Sequence, residues 1–255
     1  MTFRLGPALW QGNQPRPTVN PMHRVYAVGD LHGRYDLLRA MLKRIVEDFE
    51  DRRDERRLKI VFLGDYIDRG DQSRDVLETL MKLVSGVHLD IAALRGNHEA
   101  ALLDFVRAPN RNRAWLEFGA QQTLASYGVK LPRRDLTDLD LVAIRDGLVE
   151  AMGEHLEFLR SLPLMAQSGE AVFTHAGVGK DDGDDLCNHH AMLWGDTSSD
   201  PDWPAPGKLV VHGHYDDMDP VDRPGRICVD TGAYYSGRLT AVRLDDGVGF
   251  VSVRN

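Results

Sequence analysis

Residues 64–70 read Gly-Asp-Tyr-Ile-Asp-Arg-Gly, and they follow directly after the apolar run Lys59–Leu63. That run is short and rich in β-branched residues, which predicts a buried strand that ends at the first glycine. The turn places two carboxylates, Asp65 and Asp68, beside the guanidinium of Arg69. Carboxylates bind hard cations, and the arginine fork matches a pair of phosphate oxygens. For this stretch alone, the alternative is a solvated turn in which Asp68 and Arg69 neutralise each other.

The same arrangement, a strand followed by a polar turn that contains glycine, occurs on both sides of this stretch. The run Arg24–Val28 precedes Gly-Asp-Leu-His-Gly at residues 29–33, and the run Leu89–Leu94 precedes Arg-Gly-Asn-His-Glu at residues 95–99. Helices are predicted after the turns, at residues 36–49, 75–84 and 100–107. Three such units predict right-handed βαβ connections in a partly parallel sheet. The polar turns would then meet at its carboxyl edge, where ligands bind in open α/β folds.

The rest of the chain changes from helical to β-rich character. Residues 108–160 are predicted to be mostly helical and poor in chemistry, with His155 in a packing or surface role. Short apolar runs then predict a hairpin and further strands, at residues 165–175, 209–211, 226–230, 239–244 and 249–253. No linker divides the chain, so we expect one domain over residues 23–255 after an irregular extension at residues 1–22.

Composition and charge restrict the possible partners. The 255 residues are 42% hydrophobic and 27% charged, as in an ordinary globular protein. The formal net charge of −8 argues against a broad nucleic-acid-binding face, and the mixed charges of residues 48–57 predict a solvated helix end and loop. No apolar run approaches the ~18 residues of a membrane span. The cysteines at positions 187 and 228 have no metal-ligand spacing. We therefore expect a cytoplasmic protein without membrane or nucleic-acid partners.

Five predicted strand ends deliver side chains that can bind metals. These side chains are Asp30 and His32, then Asp65, then Asn97 and His98, then His175, and finally His214 with His212. Mixed oxygen and nitrogen donors favour manganese, iron or zinc over calcium or magnesium. There are too many donors for one tetrahedral ion, but enough for two ions if one carboxylate bridges them. Asp65, on the central strand, is the natural bridge.

These blocks resemble the signature blocks of the phosphoprotein phosphatase family, which belongs to the calcineurin-like metallophosphoesterases. The resemblance rests on residues 29–33, 64–70 and 96–99, and it continues through Thr-His-Ala-Gly at 174–177, Gly-His at 213–214 and Val-Asp-Thr-Gly-Ala at 229–233. The resemblance covers about residues 24–245, and the chain is similar to the compact bacterial and phage-type branch of the family. The resemblance implies an α/β fold: a four-layer α/β/β/α sandwich with mixed sheets and the metals at its edge.

The resemblance also implies roles for individual residues. Asp30 and His32 would hold the first metal, Asp65 would bridge, and Asn97, His175 and His214 would complete the second. His98 would protonate the leaving oxygen, Asp68 would orient His98, and Arg69 would bind two phosphate oxygens. The alternative for His98 is a third ligand of the second metal. His212 has no counterpart in the phosphatase branch and is expected to support or pack against the site.

The resemblance implies a hydrolase with two divalent ions, most simply manganese, that activate a water for in-line attack on phosphorus. A serine/threonine protein phosphatase is the first expectation, with a phosphoprotein or small phosphoester as substrate. The alternative is a hydrolase of dinucleoside polyphosphates such as diadenosine tetraphosphate, and a catalytically weak scaffold is a third possibility.

One departure from the bacterial pattern concerns phosphate binding. Residues 193–196 read Leu-Trp-Gly-Asp where that branch often has Leu-Trp-x-Arg. A second phosphate clamp is therefore missing, or Arg238 or another arginine replaces it. An aspartate at position 196 would disfavour highly anionic substrates, and the acidic run at residues 181–185 would act in the same direction unless it is only a solvated loop.

Overall fold

The computed structural model describes residues 18–179, 186, 188–196 and 207–255. Most of the expected N-terminal extension, the acidic run at 181–185 and Cys187 lie outside the described residues. The described strands are β1 His23–Val28, β2 Arg57–Phe62, β3 Asp90–Ala93, β4 Met165–Ser168, β5 Ala171–Thr174, β6 Leu209–His212, β7 Val221–Arg223, β8 Arg226–Cys228, β9 Arg238–Leu244 and β10 Val248–Arg254.

The first six helices occupy the predicted positions, with one informative difference, and the two short helices near residues 190 and 234 were not predicted. They are α1 Tyr35–Asp51, α2 Ser73–Val84, α3 Asn97–Arg107, α4 Ala120–Ser126, α5 Asp138–Met152, α6 Glu154–Ser161, α7 His189–Trp194 and α8 Ala233–Ser236, with a 3₁₀ helix at Arg113–Glu117. The third helix begins three residues before the predicted start, so the polar residues of its turn form its first helical turn. In the described part of the chain, no helix is both long and apolar enough to cross a membrane.

Two five-stranded mixed sheets carry the fold. The first has the order β10-β9-β1-β2-β3, and β1, β2 and β3 run parallel, as the three strand–turn–helix units predict. The second has the order β4-β5-β6-β8-β7, with β5, β6 and β8 parallel. Strand β7 was not predicted. It has only three residues and none of them is fully buried, so its sequence lacks an apolar run.

The alternation of side chains along β1 explains how the layers stack. Val25 and Ala27 point into an apolar cluster shared with the second sheet, which contributes residues such as Phe173 and Val211. Their neighbours Tyr26 and Val28 point the other way, into the larger core beneath the helices. Val172 on the outer face of the second sheet packs against Met192 of α7. The layers therefore follow the order helix, sheet, sheet, helix, and the predicted four-layer α/β fold is confirmed.

The prediction that residues 48–57 are wholly solvated is wrong at its first residue. Asp48 is 6% exposed and accepts a hydrogen bond of 2.8 Å from the hydroxyl of Tyr26. Arg243 donates to the same oxygen at 3.3 Å, and Arg52 donates to the other oxygen at 3.3 Å. The buried hydroxyl of Tyr26 needs an acceptor at the margin of the core. The charge pattern of the run alone could not identify that acceptor.

We expect Asp48→Asn to reduce the free energy of unfolding at pH 7 by about 1–2 kcal/mol, because charge-assisted hydrogen bonds become neutral ones. Burial raises the pKa of Asp48, but Tyr26 and Arg243 outweigh it and hold that pKa below its ordinary value. A depressed pKa stabilises the fold above the unfolded-state pKa, and this stabilisation is lost as the pH falls through the folded-state pKa. The difference between wild type and variant should therefore shrink below the ordinary aspartate pKa of about 3.9.

Urea unfolding at pH 7 and at pH 3 measures this difference. Asp51→Asn, at an exposed position of the same helix, is the control and should change little at either pH. A deficit of Asp48→Asn that stays constant between the two pH values would contradict the assignment.

Candidate metal centre and active site

The strand ends of both sheets converge on one set of side chains. Asp30 and His32 follow β1, Asp65 follows β2, Asn97 and His98 open α3, His175 follows β5, and His214 follows β6. Six of these seven residues are buried, and His214 is partly buried. The convergence follows from the parallel strand order, which brings the carboxyl ends of β1, β2 and β3 to one edge.

Asp65 lies at the centre of this convergence. His32, Asp65 and His98 each offer one ligand atom, and these atoms lie within 4.8 Å of one another. Asp65, His175 and His214 form a second group by the same criterion. Asp65 is the residue common to both groups, which is the position that a bridging carboxylate occupies.

Two histidine rings converge on the side-chain amide of Asn97. The ring nitrogen Nδ1 of His175 lies 3.0 Å from the carbonyl oxygen of Leu63, so this nitrogen carries the proton and Nε2 bears a lone pair. That Nε2 lies 2.8 Å from the amide oxygen of Asn97, and Nδ1 of His214 lies 3.2 Å from the same oxygen. A 180° rotation of the Asn97 amide would instead let its nitrogen donate to His175 and Asp65. With the amide oxygen facing inward, this oxygen and Nε2 of His175 offer two lone pairs that a cation could bind.

Burial keeps most of the histidines in the neutral form that binds metals. It lowers the pKa of His32 to about 3 and that of His214 to about 4, and it also lowers the pKa of His175. Burial works against ionisation of Asp65. His175, His98 and His32 nevertheless hold the pKa of that carboxyl well below its ordinary value. A charged carboxylate beside the neutral imidazoles of His32, His175 and His214 suits a divalent cation of the manganese, iron or zinc type.

Asp30 lies next to both groups but belongs to neither of them. Its carboxylate accepts a hydrogen bond of 3.2 Å from the backbone N–H of His214. Burial, followed by the neighbouring charges of Asp230 and Asp65, raises its pKa well above the ordinary value. Burial likewise raises the pKa of Asp230 to about 6. Buried carboxylates gathered in this way are costly to ionise without a cation, so the donor set as a whole fits divalent metal ions.

Asp68 and His98 form a buried pair beside the centre. Nδ1 of His98 lies 2.7 Å from the Asp68 carboxylate, which is completely buried. Burial lowers the pKa of His98, but Asp65 and Asp68 outweigh this effect and raise it above the ordinary value. Arg69 donates from its guanidinium to Nε2 of His32 at 3.1 Å. The alternative of a solvated turn in which Asp68 neutralises Arg69 is therefore wrong.

Two residues from the middle of the chain complete the surroundings of Asp68. The indole N–H of Trp115 donates to one carboxylate oxygen at 2.9 Å, and the hydroxyl of Thr123 donates to the other at 2.6 Å. The prediction that residues 108–160 are poor in chemistry is wrong at these two positions. A buried tryptophan N–H does need an acceptor, but nothing in the sequence indicates which acceptor it meets. His155 is buried against Tyr127 and Glu78, so its predicted packing role is confirmed.

Glu99 ties together the turns that carry the central residues. Its fully buried carboxylate accepts from the backbone N–H groups of Asp65 at 2.9 Å, Tyr66 at 2.8 Å, Ile67 at 3.3 Å and Gly96 at 2.9 Å. Burial and the Asp65 carboxylate raise its pKa to about 7, while the N–H groups favour its charged form. The turn after β2 is therefore fixed against the start of α3.

Backbone strain is concentrated at the residues of the candidate site. Positive φ angles occur at six described residues other than glycine: His32, Asp65, Asp68, Arg69, His214 and, away from the predicted site, Leu186. Such conformations are uncommon outside glycine and gather at functional sites. Close packing adds a further restriction, because a Cβ on Gly96 would lie 2.2 Å from an oxygen of Asp65.

The structure shows where Asp196 lies and whether Arg238 is available to bind phosphate in place of the missing arginine. Asp196 is partly buried just after α7. Arg238 is held by the Met218 carbonyl at 2.9 Å, Asp219 at 2.7 Å and Ser252 at 3.4 Å, so it is engaged in supporting β9. The expectation that Arg238 replaces the missing clamp therefore receives no support.

His212 belongs to neither metal-ligand group. Its Nδ1 lies 2.8 Å from the carbonyl oxygen of Gly213, and Arg226 donates to its Nε2 at 2.6 Å. Both ring nitrogens are therefore engaged, which agrees with the expected supporting role.

The chain is similar in sequence and in fold to known proteins. An asymmetrical bis(5′-nucleosyl)-tetraphosphatase of Halalkalibacterium halodurans is 25% identical, covering 89% of this chain and 92% of the relative. A symmetrical bis(5′-nucleosyl)-tetraphosphatase of Methylococcus capsulatus is also 25% identical, covering 87% of this chain and 91% of the relative. A crystal structure provisionally assigned as a diadenosine tetraphosphatase superposes with a TM-score of 0.62 at 20% identity, covering 94% of this chain and 99% of that one.

A sequence model of the calcineurin-like phosphoesterases matches residues 23–217, about three quarters of the chain. The match begins at the first residue of β1 and includes every residue of the two metal-ligand groups. The chain therefore belongs to the calcineurin-like phosphoesterase family.

Proposed function

We propose that the chain hydrolyses dinucleoside polyphosphates at a centre of two divalent cations, with manganese as the first candidate. The observation that carries the proposal is the convergence of metal-binding side chains around Asp65, in a chain that matches bis(5′-nucleosyl)-tetraphosphatases over most of its own length and most of theirs. Of the activities expected from the sequence, this support favours the dinucleotide hydrolase over the protein phosphatase. One of these relatives is named asymmetrical and the other symmetrical, so the proposal covers the substrate class and leaves the position of cleavage to the experiment.

The residues that would hold the cations are those predicted from the sequence. Asp30, His32 and Asp65 would bind one, and Asp65, Asn97, His175 and His214 the other. When bound, such cations supply a water of lowered pKa and neutralise charge on the phosphoryl oxygens. The backbone carbonyl of Ile67, 2.9 Å from Nδ1 of His32, keeps the other ring nitrogen of His32 unprotonated for this purpose.

The remaining groups would act on the phosphate and on the leaving oxygen. The Arg69 guanidinium lies beside His32 and would bind two phosphoryl oxygens through its fork. Asp68 fixes Nδ1 of His98, so Nε2 is the atom that would deliver a proton. As the water oxygen bonds to phosphorus, the bond from phosphorus to the leaving oxygen breaks. The leaving oxygen then takes the proton from His98.

The first test is hydrolysis by the metal-stripped protein with and without added manganese. We expect manganese-dependent cleavage of diadenosine tetraphosphate, with kcat/KM at least about tenfold above that for a phosphothreonine peptide. Chromatography of the products separates ATP plus AMP from two ADP and so gives the position of cleavage. Preferential cleavage of the peptide would overturn the proposal in favour of a protein phosphatase. The absence of turnover on every substrate would overturn both.

The second test asks whether His98 donates a proton. We expect His98→Asn to slow phenyl phosphate hydrolysis by about 10²- to 10⁴-fold. The loss on p-nitrophenyl phosphate should be clearly smaller, because its leaving group needs little protonation. His155→Asn replaces a buried histidine outside the centre and should leave the ratio between the two substrates unchanged. Equal losses on both substrates would exclude the proton-donor role and favour His98 as a metal ligand.

The third test concerns Glu99. In Glu99→Gln, an amide N–H₂ group would face backbone N–H donors, so the turn carrying Asp65 should lose its fixed position. We expect manganese affinity to fall by about 10- to 100-fold, as for other residues that orient metal ligands. Isothermal titration of folded protein measures this fall, and circular dichroism verifies the fold. Glu150→Gln, at an exposed position of α5, is the control. Unchanged affinity in folded Glu99→Gln would contradict the assigned function of Glu99.

A further inference from the structure

The exposed aromatic side chains gather at one place. In the described ranges of the chain, four aromatic side chains are exposed: Phe118, Tyr215, Tyr234 and Tyr235. Three of them contact a histidine of the candidate centre, and the fourth packs on one of those three. Apolar surface that is exposed next to a polar centre, rather than scattered singly, is the pattern of a ligand-binding surface.

Two of these rings lie at the ends of a row of four. The centroid of Tyr234 lies 5.4 Å from that of His32, His32 lies 4.7 Å from His98, and His98 lies 5.9 Å from Phe118. The two histidines in the middle are each 2% exposed, whereas Phe118 is 37% and Tyr234 is 38% exposed. The row therefore presents an aromatic surface at each end, with the proposed proton donor and a proposed metal ligand between them.

Both rings are tied to elements that position the reacting groups. Phe118 directly follows the 3₁₀ helix whose Trp115 holds Asp68, and the next carbonyl, that of Gly119, accepts from the backbone N–H of Arg69 at 3.0 Å. On the other side, the Arg69 guanidinium lies 4.7 Å from the centroid of the Tyr234 ring. The spacing between each ring and the phosphate-binding group is therefore set by the fold.

The negative charge of the protein favours substrate contacts that are not electrostatic, such as stacking on aromatic rings. A polyphosphate chain is strongly anionic, and this protein carries a formal charge of −8. Close to the row, the hydroxyl of Tyr235 donates to the Asp216 carboxylate at 2.5 Å. Affinity for a polyphosphate therefore gains from contacts that do not depend on charge. Stacking of a base on an aromatic ring is such a contact, and it tolerates every base.

We propose that Phe118 and Tyr234 determine substrate specificity by stacking the nucleobases of the dinucleotide, an inference that rests on the proposed function. A dinucleotide carries one base at each end of its phosphate chain, which matches one exposed ring at each end of the row. A phosphotyrosine side chain has a single ring and would use one end only.

Tyr215 is left out of this assignment because it lies outside the row, against His214. Its hydroxyl packs so closely on Gly195 that a Cβ there would clash. Tyr215 therefore supports the segment after α7.

Steady-state kinetics of the manganese-loaded enzyme test the inference, with diadenosine tetraphosphate as substrate and inorganic tripolyphosphate as a competitive inhibitor that lacks bases. We expect Phe118→Leu and Tyr234→Leu each to raise KM for the dinucleotide about tenfold. The Ki of tripolyphosphate should stay within about twofold of wild type in Phe118→Leu, which leaves Arg69 and its stacking partner intact. Phe118→Tyr and Tyr234→Phe keep the rings and should retain the wild-type KM. Leu139→Ala, at an exposed position on α5, is the remote control.

The outcomes separate this inference from the proposed function. If wild type does not cleave the dinucleotide, the proposed function fails. If wild type cleaves it but both leucine variants keep the wild-type KM, the stacking inference alone fails. A parallel rise of KM and of the tripolyphosphate Ki in Phe118→Leu would also overturn it, because the ring would then act on the phosphate site. A rise of KM confined to a phosphotyrosine peptide would assign the rings to a protein substrate instead.

Discussion

The carboxylate of Glu99 is the constraint on which the centre depends. It collects four backbone N–H groups, three from the turn after β2 and one from the turn before α3. Those turns carry Asp65, Asp68 and Arg69 on one side and Asn97 and His98 on the other. A further hydrogen bond joins the same two turns, because the backbone N–H of His98 donates to the Asp65 carboxylate at 3.1 Å. The spacing between the proposed bridge and the proposed proton donor is therefore held by hydrogen bonds that need no ion.

This fixed geometry has a cost in backbone conformation. Five residues of the candidate site adopt positive φ angles, and such conformations each cost on the order of 1–3 kcal/mol. Apolar packing on both faces of the first sheet offsets this conformational free energy. Tyr26 and Val28 face the helices, and Val25 and Ala27 face the second sheet. The strained backbone at the site therefore depends on the close packing of the sheet that carries it.

The sequence predicts some parts of this structure much better than others. Strands β1, β2 and β3 and the order of their turns follow from local patterns, because each unit has an apolar run, a glycine turn and a helix in immediate succession. The convergence of Asp65 with His175 and His214 depends on the pairing of distant strands. It was expected from the metal-binding side chains at five strand ends, and the family resemblance then assigned the individual ligands. Trp115, Thr123 and Asp48 escaped prediction because their partners lie far away in sequence. The hydrogen bonds from Trp115 and Thr123 to Asp68 span 47 and 55 residues, respectively.

Hydrogen-bond partners give the histidines of the candidate site different protonation states. His32 and His175 donate from Nδ1 to backbone carbonyls, which leaves them neutral with a lone pair facing inward. His98 directs the same nitrogen at the Asp68 carboxylate, which is fixed by an indole and a hydroxyl and so favours the protonated ring. The partner of one ring nitrogen thus biases the protonation state of the ring, and a carboxylate partner is also compatible with a metal-bound histidine. A carbonyl supplies no charge to stabilise an imidazolium, whereas a buried carboxylate does. This difference supports the proposed assignment of His32 and His175 as ligands and of His98 as the acid.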